Sequence, residues 1–521
     1  MSTGLPIEVT DRPKVALATL AGFIEVYFTD DAGRPLRLSA GQRYACQTIE
    51  QGVFSGEHLG SGLEMARGHG KSMIMKAMVI RAFLLSFYGD GWGSQYAAIL
   101  TNGTLYKQFS RDIGDIVTGI GAPLTKDADG HPLLLKDFWI NPGYLHPNKK
   151  TKERQLWNVA DKLIYVGNWE HPCRLSVRGM TGGRGDVRGL TQGNQRPDLL
   201  IVDDPMKEGE ADNEETTGNV KLFIKKSFIP CGAPNARIAM FGTPFNDKDL
   251  ITEVCGNAIT RPLTSEWPGI VSACLPAMHP KNGALLCPGI WTPEKLEARR
   301  SLLGSRAFAQ EYLLDPQGGG VRHFEPAWIA KWTLPAPMQT PDKRRLKRYM
   351  YLDPSLGRTT KSDYSAIIIL DHEPAANVWW VIHADIQRRR PQKLVTDYLD
   401  LWQRFQPDTH ATEDEGAQEL LLPIFAAEVA ARKLPAIATP RLQSSGGVSK
   451  VQRIKRLSPM CEFGQLRWDA NGSHKELRTQ LTGWQGLLNE TDDGPDALEG
   501  CVRLSSRSPA LTAAAFESQN R

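Results

Sequence analysis

The chain has 521 residues. A single hydrophobic core usually stops growing at about 250–300 residues, so this length predicts two large domains. Apolar residues make up 41% and charged residues 23% of the chain, which is ordinary for a globular protein, and no run approaches the roughly 20 apolar residues that cross a bilayer. The composition argues against a membrane protein, and the formal net charge of +4 does not by itself indicate nucleic-acid binding.

The first ten residues and the cysteines bear on the compartment. Residues 1–10 contain no basic segment followed by an apolar run and a cleavage site, so we expect no export. The eight cysteines are scattered without a close Cys-x-x-Cys pair, so we expect reduced, mostly buried thiols and no zinc site. Together these features predict an intracellular protein.

Glycine and proline are concentrated between residues 315 and 341, and both interrupt helices and strands. We therefore predict a first domain over 1–318, a linker over 319–342, a second domain over 343–505 and a disordered tail over 506–521. In the first domain, apolar runs alternate with helix-like stretches, as in a parallel sheet with crossover helices. These runs are 96–100, 199–202 and 237–241.

A glycine-rich segment of the first domain is typical of a phosphate-binding loop. Residues 65–72 read Met-Ala-Arg-Gly-His-Gly-Lys-Ser and lead into an apolar, helix-like stretch. Such a turn presents backbone N–H groups to phosphates, its lysine reaches the β- and γ-oxygens, and its serine can bind Mg²⁺. The usual pattern has glycine where Met65 stands, so a chance Gly-Lys-Ser in a loop is the alternative. The nucleotide-binding candidates are Gly68, Gly70, Lys71 and Ser72.

Two later strands complete the predicted ATPase site. The run 197–204 is a hydrophobic strand ending in two acids, of which Asp203 would hold the magnesium shell and Asp204 would activate the attacking water. The alternative is that these acids merely start a turn. The run 238–245 is a further strand, which we place beside the first, so that Thr243 lies near the γ-phosphate.

A basic, glycine-rich segment over 178–189 suits a loop near phosphate or a neighbouring subunit. It offers Arg178, Arg184 and Arg188 as candidates for an arginine finger, and the sequence does not choose among them.

The second domain begins with strand-like runs and continues with helices, which predicts another mixed α/β fold. The strands are 349–353, 365–370 and 378–384, and the helical stretches are 394–405 and 418–431.

Three separated acidic sites in this domain could converge on metal. They are Asp353 at a strand end, the adjacent Glu413, Asp414 and Glu415, and the helix-opening acids Asp492, Asp493 and Asp496. Two-metal phosphodiester cleavage needs several carboxylates close together. The alternative for the last group is that acids at a helix N-terminus only stabilise the helix dipole.

The motifs of the first domain, Ala-Arg-Gly-His-Gly-Lys-Ser, Ile-Val-Asp-Asp-Pro and Phe-Gly-Thr-Pro-Phe-Asn, resemble the ATPase of phage terminase large subunits. The resemblance implies that Gly242 and Thr243 couple hydrolysis to DNA movement, that Arg67 adds a cation near the phosphates, and that Gln42 reads adenine. The family usually carries Asp-Glu where this chain has Asp203-Asp204, so the departure puts the catalytic role of Asp204 in question.

The acids of the second domain resemble, in their order, the RNase H-like nuclease of terminases and Holliday-junction resolvases. The resemblance implies that the leading metal ligands are Asp353, Glu413 and Asp496, with Asp493 and Asp363 as further candidates. Because three acids are adjacent, Asp414 or Glu415 could exchange roles with Glu413.

The resemblance implies an ATP-driven translocase of double-stranded DNA that also cleaves this DNA with Mg²⁺, or with Mn²⁺ at the nuclease site. It further implies a pentameric ring docked on the portal protein of a procapsid, a small terminase subunit that recognises the DNA, and residence in the host cytoplasm. Two alternatives are a helicase-like ATPase without nuclease activity and an assembly scaffold with a degenerate nucleotide fold.

Four basic clusters suit contact with phosphate, although a basic cluster taken singly is more often a solvated face. They lie at 149–154, 343–348, 388–390 and 450–456 and carry no evident base-reading device, which favours cleavage independent of sequence.

Overall fold

The structure is a computed structural model. It describes residues 11–30, 32–103, 105–147, 156–181, 184–185, 187, 190–191, 194–206, 214–246, 248–256, 267–316, 322–338, 346–354, 364–413, 417–443, 448–486 and 491–506. The chain divides into two compact units. The first comprises Met1–Ala298 and Ala307–Gly319, and the second comprises Arg299–Arg306 and Gly320–Arg521.

The domain limits predicted from the sequence stay predictions. Within the predicted linker, residues 322–338 form a short helix and a two-residue strand. The rest of that linker and residues 507–521 of the predicted tail lie outside the described residues.

The first unit is built on a nine-stranded sheet whose order is β3-β4-β5-β2-β7-β8-β1-β9, with β6 paired to β5. The strands are β1 Gly60–Met65, β2 Tyr96–Asn102, β3 Ile140–Pro142, β4 Asp161–Val166, β5 Pro172–Thr181, β6 Arg184–Gly185, β7 Leu199–Asp203, β8 Arg237–Gly242 and β9 Ile270–Leu275. The strands from β5 to β9 along this order pair in parallel.

The second unit is built on a seven-stranded sheet in the order β10-β16-β13-β12-β11-β14-β15. The strands are β10 Thr333–Leu334, β11 Lys347–Asp353, β12 Ser365–Glu373, β13 Val378–Gln387, β14 Thr409–Glu413, β15 Arg441–Gln443 and β16 Leu466–Ser473. Strand β12 is antiparallel to β11 and β13, whereas β11, β14 and β15 are parallel.

The helices, in chain order, are α1 Arg12–Ala18, α2 Leu20–Tyr27, α3 Ala40–Ile49, α4 Lys71–Tyr88, α5 Tyr106–Thr118, α6 Leu133–Asp137, α7 Glu214–Phe223, α8 Leu250–Cys255, α9 Pro293–Leu303, α10 Ser305–Phe308, α11 Pro326–Lys331, α12 Pro391–Phe405, α13 Ala417–Ala431, α14 Lys450–Lys455, α15 Leu457–Glu462, α16 Lys475–Gly483 and α17 Asp493–Ser506. No described helix is long and apolar enough to cross a membrane.

Both sheets are covered on two faces, which explains why their central strands read as unbroken apolar runs. In β2, Ile99 packs into a core on one face of the sheet and Leu100 into a core on the other. In β11, Tyr351 and Leu352 divide in the same way. The predicted α/β class is confirmed, with a mostly parallel sheet in the first unit and a mixed sheet in the second. All eight cysteines are free thiols, six of them buried, as predicted.

Candidate nucleotide and metal sites

The glycine-rich loop between β1 and α4 has the backbone geometry of an anion-binding turn. Gly68 and Gly70 have positive φ angles of 74° and 98°, which glycine adopts without the strain of a Cβ. Helix α4 begins at Lys71, so its unpaired N–H groups face the cavity beyond the loop. This cavity of about 590 Å³ is lined by residues that include Arg67, Ser72, Asn102 and Glu311.

The central contact of the cavity joins Lys71 to Asp204 and Thr243. The Nζ atom of Lys71 lies 2.9 and 2.8 Å from the two carboxylate oxygens of Asp204 and 3.2 Å from the Thr243 hydroxyl. The backbone N–H of Thr243 also donates to Asp204, at 3.0 Å. Strand β8 lies between β1 and β7, and this placement brings the three predicted residues together.

The two acids at the end of β7 have different surroundings. Asp203 is buried, and its Oδ1 atom has no hydrogen-bond partner among the described residues. Burial, together with the neighbouring Asp204, raises the pKa of Asp203. Asp204 lies in the left-handed region at φ 37° and lines the cavity. An unpaired buried carboxylate oxygen fits a hard divalent cation, and Ser72 and Asp203 remain the predicted ligands.

Gln42 contacts the loop between β1 and α4, and Arg67 is part of this loop. The Gln42 side chain accepts from Ser39 N at 3.0 Å and donates to the His69 carbonyl at 2.9 Å, so both ends of its amide support the loop. Recognition of adenine by Gln42 stays a prediction. The Arg67 side chain is 72% exposed and lies 3.3 Å from Glu311, at the rim of the cavity.

Asp353, Glu413 and Asp496 converge in the second unit. One carboxylate oxygen of each lies within 4.8 Å of the other two. Leu352 pairs with Thr412 in parallel register, so the next residues, Asp353 and Glu413, end adjacent strands on the same sheet edge. We call this edge, where β11 and β14 end, the acidic edge.

Helix α17 brings Asp496 to the acidic edge because it packs closely on the sheet. A Cβ at Gly500 would lie 2.3 Å from the ring of Tyr351, so a larger residue would hold the helix away from β11. Asp496 is in the first turn of α17. The close approach therefore fixes the third carboxylate over the ends of the two strands.

The electrostatics of the acidic edge favour a bound cation. Burial and the neighbouring Asp496 and Glu413 raise the pKa of Asp353 well above its usual range. Burial raises the pKa of Asp496 to about 7, and its buried Oδ1 atom has no hydrogen-bond partner among the described residues. An all-oxygen set with mutual repulsion and an unpaired buried oxygen fits Mg²⁺ or Mn²⁺.

Two basic side chains of α14, Lys450 and Arg453, lie among these carboxylates. Arg453 contacts Glu413 at 3.3 Å and Asp496 at 3.1 Å. The ammonium group of Lys450 contacts three acids, Asp492 at 2.7 Å, Asp493 at 3.5 Å and Asp496 at 3.8 Å. Sequence reasoning placed both cations in a basic cluster but did not assign them to the site. Their spacing of three residues on a helix capped by Ser449 is the signal that could have indicated a shared face.

No protein-family model matches the sequence, and no curated protein matches it. Solved structures do match. The large terminase of bacteriophage HK97 covers 93% of this chain and 99% of its own length, at 14% identity and a TM-score of 0.34. The ATPase domain of the Thermus phage P74-26 large terminase, in a mutant form, covers 55% and 99%, at 13% identity and a TM-score of 0.33.

A third match is the human cytomegalovirus terminase nuclease domain, soaked with Mn and bound to an inhibitor. It covers 36% of this chain and 97% of its own length, at 12% identity and a TM-score of 0.29. All three of these structures are terminases.

The remaining residues that the sequence motifs predicted for the two sites are located as follows. Asp493 is near the three converging acids, but its Oδ2 atom accepts a hydrogen bond from Tyr364 N at 3.0 Å, and its role as a ligand stays a prediction. Arg178 pairs with Asp161 at 3.1 Å. Several predicted positions lie outside the described residues: Asp363, Asp414, Glu415, Arg188 and the cluster at 149–154. The side chain of Arg184 also lies outside them.

Replacing Arg453 with methionine is expected to destabilise the metal-free protein by about 3 kcal/mol, because Glu413 and the buried Asp496 lose the guanidinium that contacts both. Binding of Mn²⁺ should in turn become tighter, since the Arg453 guanidinium no longer has to be displaced from Glu413 and Asp496. Thermal unfolding in chelator and in Mn²⁺ measures both effects. Arg456→Met, at an exposed position three residues later, is the matched control. Equal melting temperatures of the two variants in chelator would contradict the expectation.

The affinity for Mn²⁺ is expected to rise with pH up to about 7, the raised pKa of Asp496, because the metal competes with its proton. A raised folded-state pKa also means that the metal-free folded protein binds this proton more tightly than the unfolded chain. The contribution of Asp496 to stability is therefore full below the unfolded pKa and is lost as the pH rises through about 7. Calorimetric titration with Mn²⁺ at several pH values tests this, and a flat affinity across neutral pH would contradict it.

Proposed function

We propose that this chain is the large subunit of a phage DNA-packaging terminase, which hydrolyses ATP to move double-stranded DNA and cuts that DNA by two-metal-ion chemistry. The observation that carries the proposal is the convergence of Asp353, Glu413 and Asp496 in the same chain as the contact of Lys71 with Asp204 and Thr243. A motor site and a cutting site in one polypeptide suit an enzyme that both moves and severs its substrate.

In the proposed ATPase, Lys71 releases Asp204 when it takes up the γ-phosphate, because the phosphate oxygens compete for the same ammonium group. Asp204 is then free to accept a proton from the attacking water. Thr243 lies 3.2 Å from Lys71, so the same event changes its surroundings. The magnesium ion would be held by Ser72 and Asp203.

In the proposed nuclease, Asp353, Glu413 and Asp496 hold the metal ions, with Asp493 as a further candidate ligand. Bound metal supplies the chemistry of lowering the pKa of water and stabilising the leaving oxygen. The burial that raises the pKa of Asp353 also lowers the local dielectric constant, which strengthens the attraction of the carboxylates for a divalent ion. Arg453 and Lys450 neutralise the acids until metal replaces them.

The partners belong to the same proposal and rest on the resemblance of the sequence motifs. They are a small terminase subunit that recognises the viral DNA, the portal protein of a procapsid, and further copies of this chain in a pentameric ring. The expected location is the cytoplasm of the infected host.

The proposal is tested by two assays on the full chain. We expect DNA-stimulated ATP turnover, and we expect conversion of supercoiled plasmid to nicked and linear forms with Mg²⁺ or Mn²⁺. Turnover without cutting in either metal would favour a helicase-like translocase. The absence of both activities in a folded protein would favour an assembly scaffold.

A further inference from the structure

The acidic edge continues across two more strands of the second sheet. Asp353 pairs with Ala366 of β12, and Ala366 pairs with Ile386 of β13. Tyr364 comes two residues before Ala366, and Arg388 comes two residues after Ile386. Both therefore lie at the end of the sheet where β11 and β14 end. The same edge therefore carries acids on one flank and an arginine on the other.

Arg388 is held over an aromatic ring at this edge. Its guanidinium carbon lies 4.5 Å from the centroid of the Tyr364 ring, an arrangement that restricts the side chain while leaving its N–H edge able to bind. The residue is exposed. Tyr364 is tied to the site, because its backbone N–H donates to Asp493 at 3.0 Å.

The neighbouring residue, Arg389, anchors the backbone that carries Arg388. Its side chain is 3% exposed and contacts Asp385 at 2.7 Å and Asp397 at 3.1 Å. It also donates to the Ser365 hydroxyl at 2.9 Å. The side chain of Arg389 is thus used in contacts within the fold, whereas Arg388 is exposed to solvent from a fixed position.

Strand spacing sets the distance between the acids and this arginine. Ile386 is two strands from Asp353, which corresponds to about 10 Å at the usual strand separation. Successive phosphates of one DNA strand are separated by about 3.4 Å along the duplex axis and by more along the winding backbone, so this distance corresponds to at most roughly three nucleotides. The negative charge of the acidic edge repels DNA, and a cation at its flank offsets that repulsion.

We propose that Arg388, restricted by Tyr364, binds a backbone phosphate of the DNA strand that is cut, a few nucleotides from the reacting bond. The inference rests on the proposed nuclease function and names a substrate-positioning residue for it. Contact with phosphate through a planar guanidinium fixes the strand without reading its bases.

The test compares Arg388→Gln with Arg404→Gln in the full chain. Arg404 is a matched control, because it is also exposed and lies 5.0 Å from an aromatic ring, that of Phe405. The Phe405 carbonyl accepts from Arg348 near the start of β11, so the control lies toward the opposite edge of the sheet. Cleavage of a linear duplex gives KM and kcat, and titration gives the affinity for Mn²⁺.

For Arg388→Gln we expect KM to rise about tenfold, the size of one charge-assisted hydrogen bond, with kcat at saturating DNA and Mn²⁺ affinity unchanged. The slope of log affinity against log salt should fall by about one. Tyr364→Ala should reproduce the rise in KM, and Tyr364→Phe should not. An unchanged KM, an equal effect of Arg404→Gln, or a loss of Mn²⁺ affinity would overturn the inference.

If the wild-type chain does not cut DNA, the same variants are compared for duplex binding in Ca²⁺. Weaker binding by Arg388→Gln alone would support the phosphate contact, even though the proposed nuclease activity is absent. Equal binding of wild type and both variants would reject the contact itself.

Discussion

Replacing Asp353 with asparagine is expected to abolish metal-dependent plasmid cleavage, with a loss on the order of a thousandfold or more, since metal ions supply several kcal/mol of transition-state stabilisation. Asparagine keeps the shape of the side chain but removes the charge that a divalent ion needs. The measurement is conversion of supercoiled plasmid in Mg²⁺ and in Mn²⁺. ATP turnover should stay at the wild-type level.

Loss of cutting in Asp353→Asn should not arise from unfolding. The raised pKa of Asp353 means that its charged form is disfavoured by burial and by neighbouring acids. The variant should therefore be at least as stable as the wild type in chelator at pH 8, which thermal unfolding would show. Asp400→Asn, at an acid that is 60% exposed, is the control that should keep cutting. Wild-type cleavage by Asp353→Asn would exclude Asp353 as a metal ligand.

Replacing Lys71 with alanine is expected to lower the rate of ATP turnover on the order of a hundredfold or more. Catalysis of phosphoryl transfer depends on positioning and on cations at the γ-phosphate. The variant also leaves Asp204 without the ammonium group 2.8 Å away, and the unpaired acid would repel the incoming phosphates. A coupled assay of ADP release, with and without DNA, measures the loss.

Lys136→Ala is the matched control for Lys71→Ala, since Lys136 makes a similar contact with Asp127 at 2.9 Å but is 55% exposed. It should keep full turnover. Plasmid cutting should persist in Lys71→Ala, just as turnover persists in Asp353→Asn. Loss of both activities in either variant, with the fold intact, would contradict the prediction that ATP turnover and DNA cutting take place at two separate sites.

Much of the architecture could be predicted because the apolar runs in the sequence coincide with the buried strands of the structure. The apolar run predicted at 199–202 forms β7, Leu199–Asp203, and the run predicted at 378–384 forms β13, Val378–Gln387. Alternate apolar residues of each run pack on opposite faces of the sheet, Leu199 and Leu200 in β7 and Trp379 and Trp380 in β13, which explains why both runs read as apolar strands. The observed limits extend one to three residues further, since a ladder continues as long as a neighbouring strand offers partners.

The acids of the candidate sites could be predicted because each ends a strand or begins a helix, but their surroundings could not. Arg453 is 40 residues from Glu413 in the chain and reaches it only through packing of α14. Likewise, nothing in the local sequence of Gln42 indicates that its amide donates to the carbonyl of His69. Contacts of this kind depend on tertiary packing, which spacing along the chain does not reveal.

The position of β8 limits how the proposed motor can move. This strand is paired with β7 over five residues on one side and with β1 over five on the other, so it cannot slide without breaking two ladders at once. The chain after Gly242 is held again at Asp249, whose carboxylate accepts from Phe245 N at 2.6 Å. In the proposed motor, movement on ATP binding would then be confined to the segment that follows Gly242, while the sheet stays rigid.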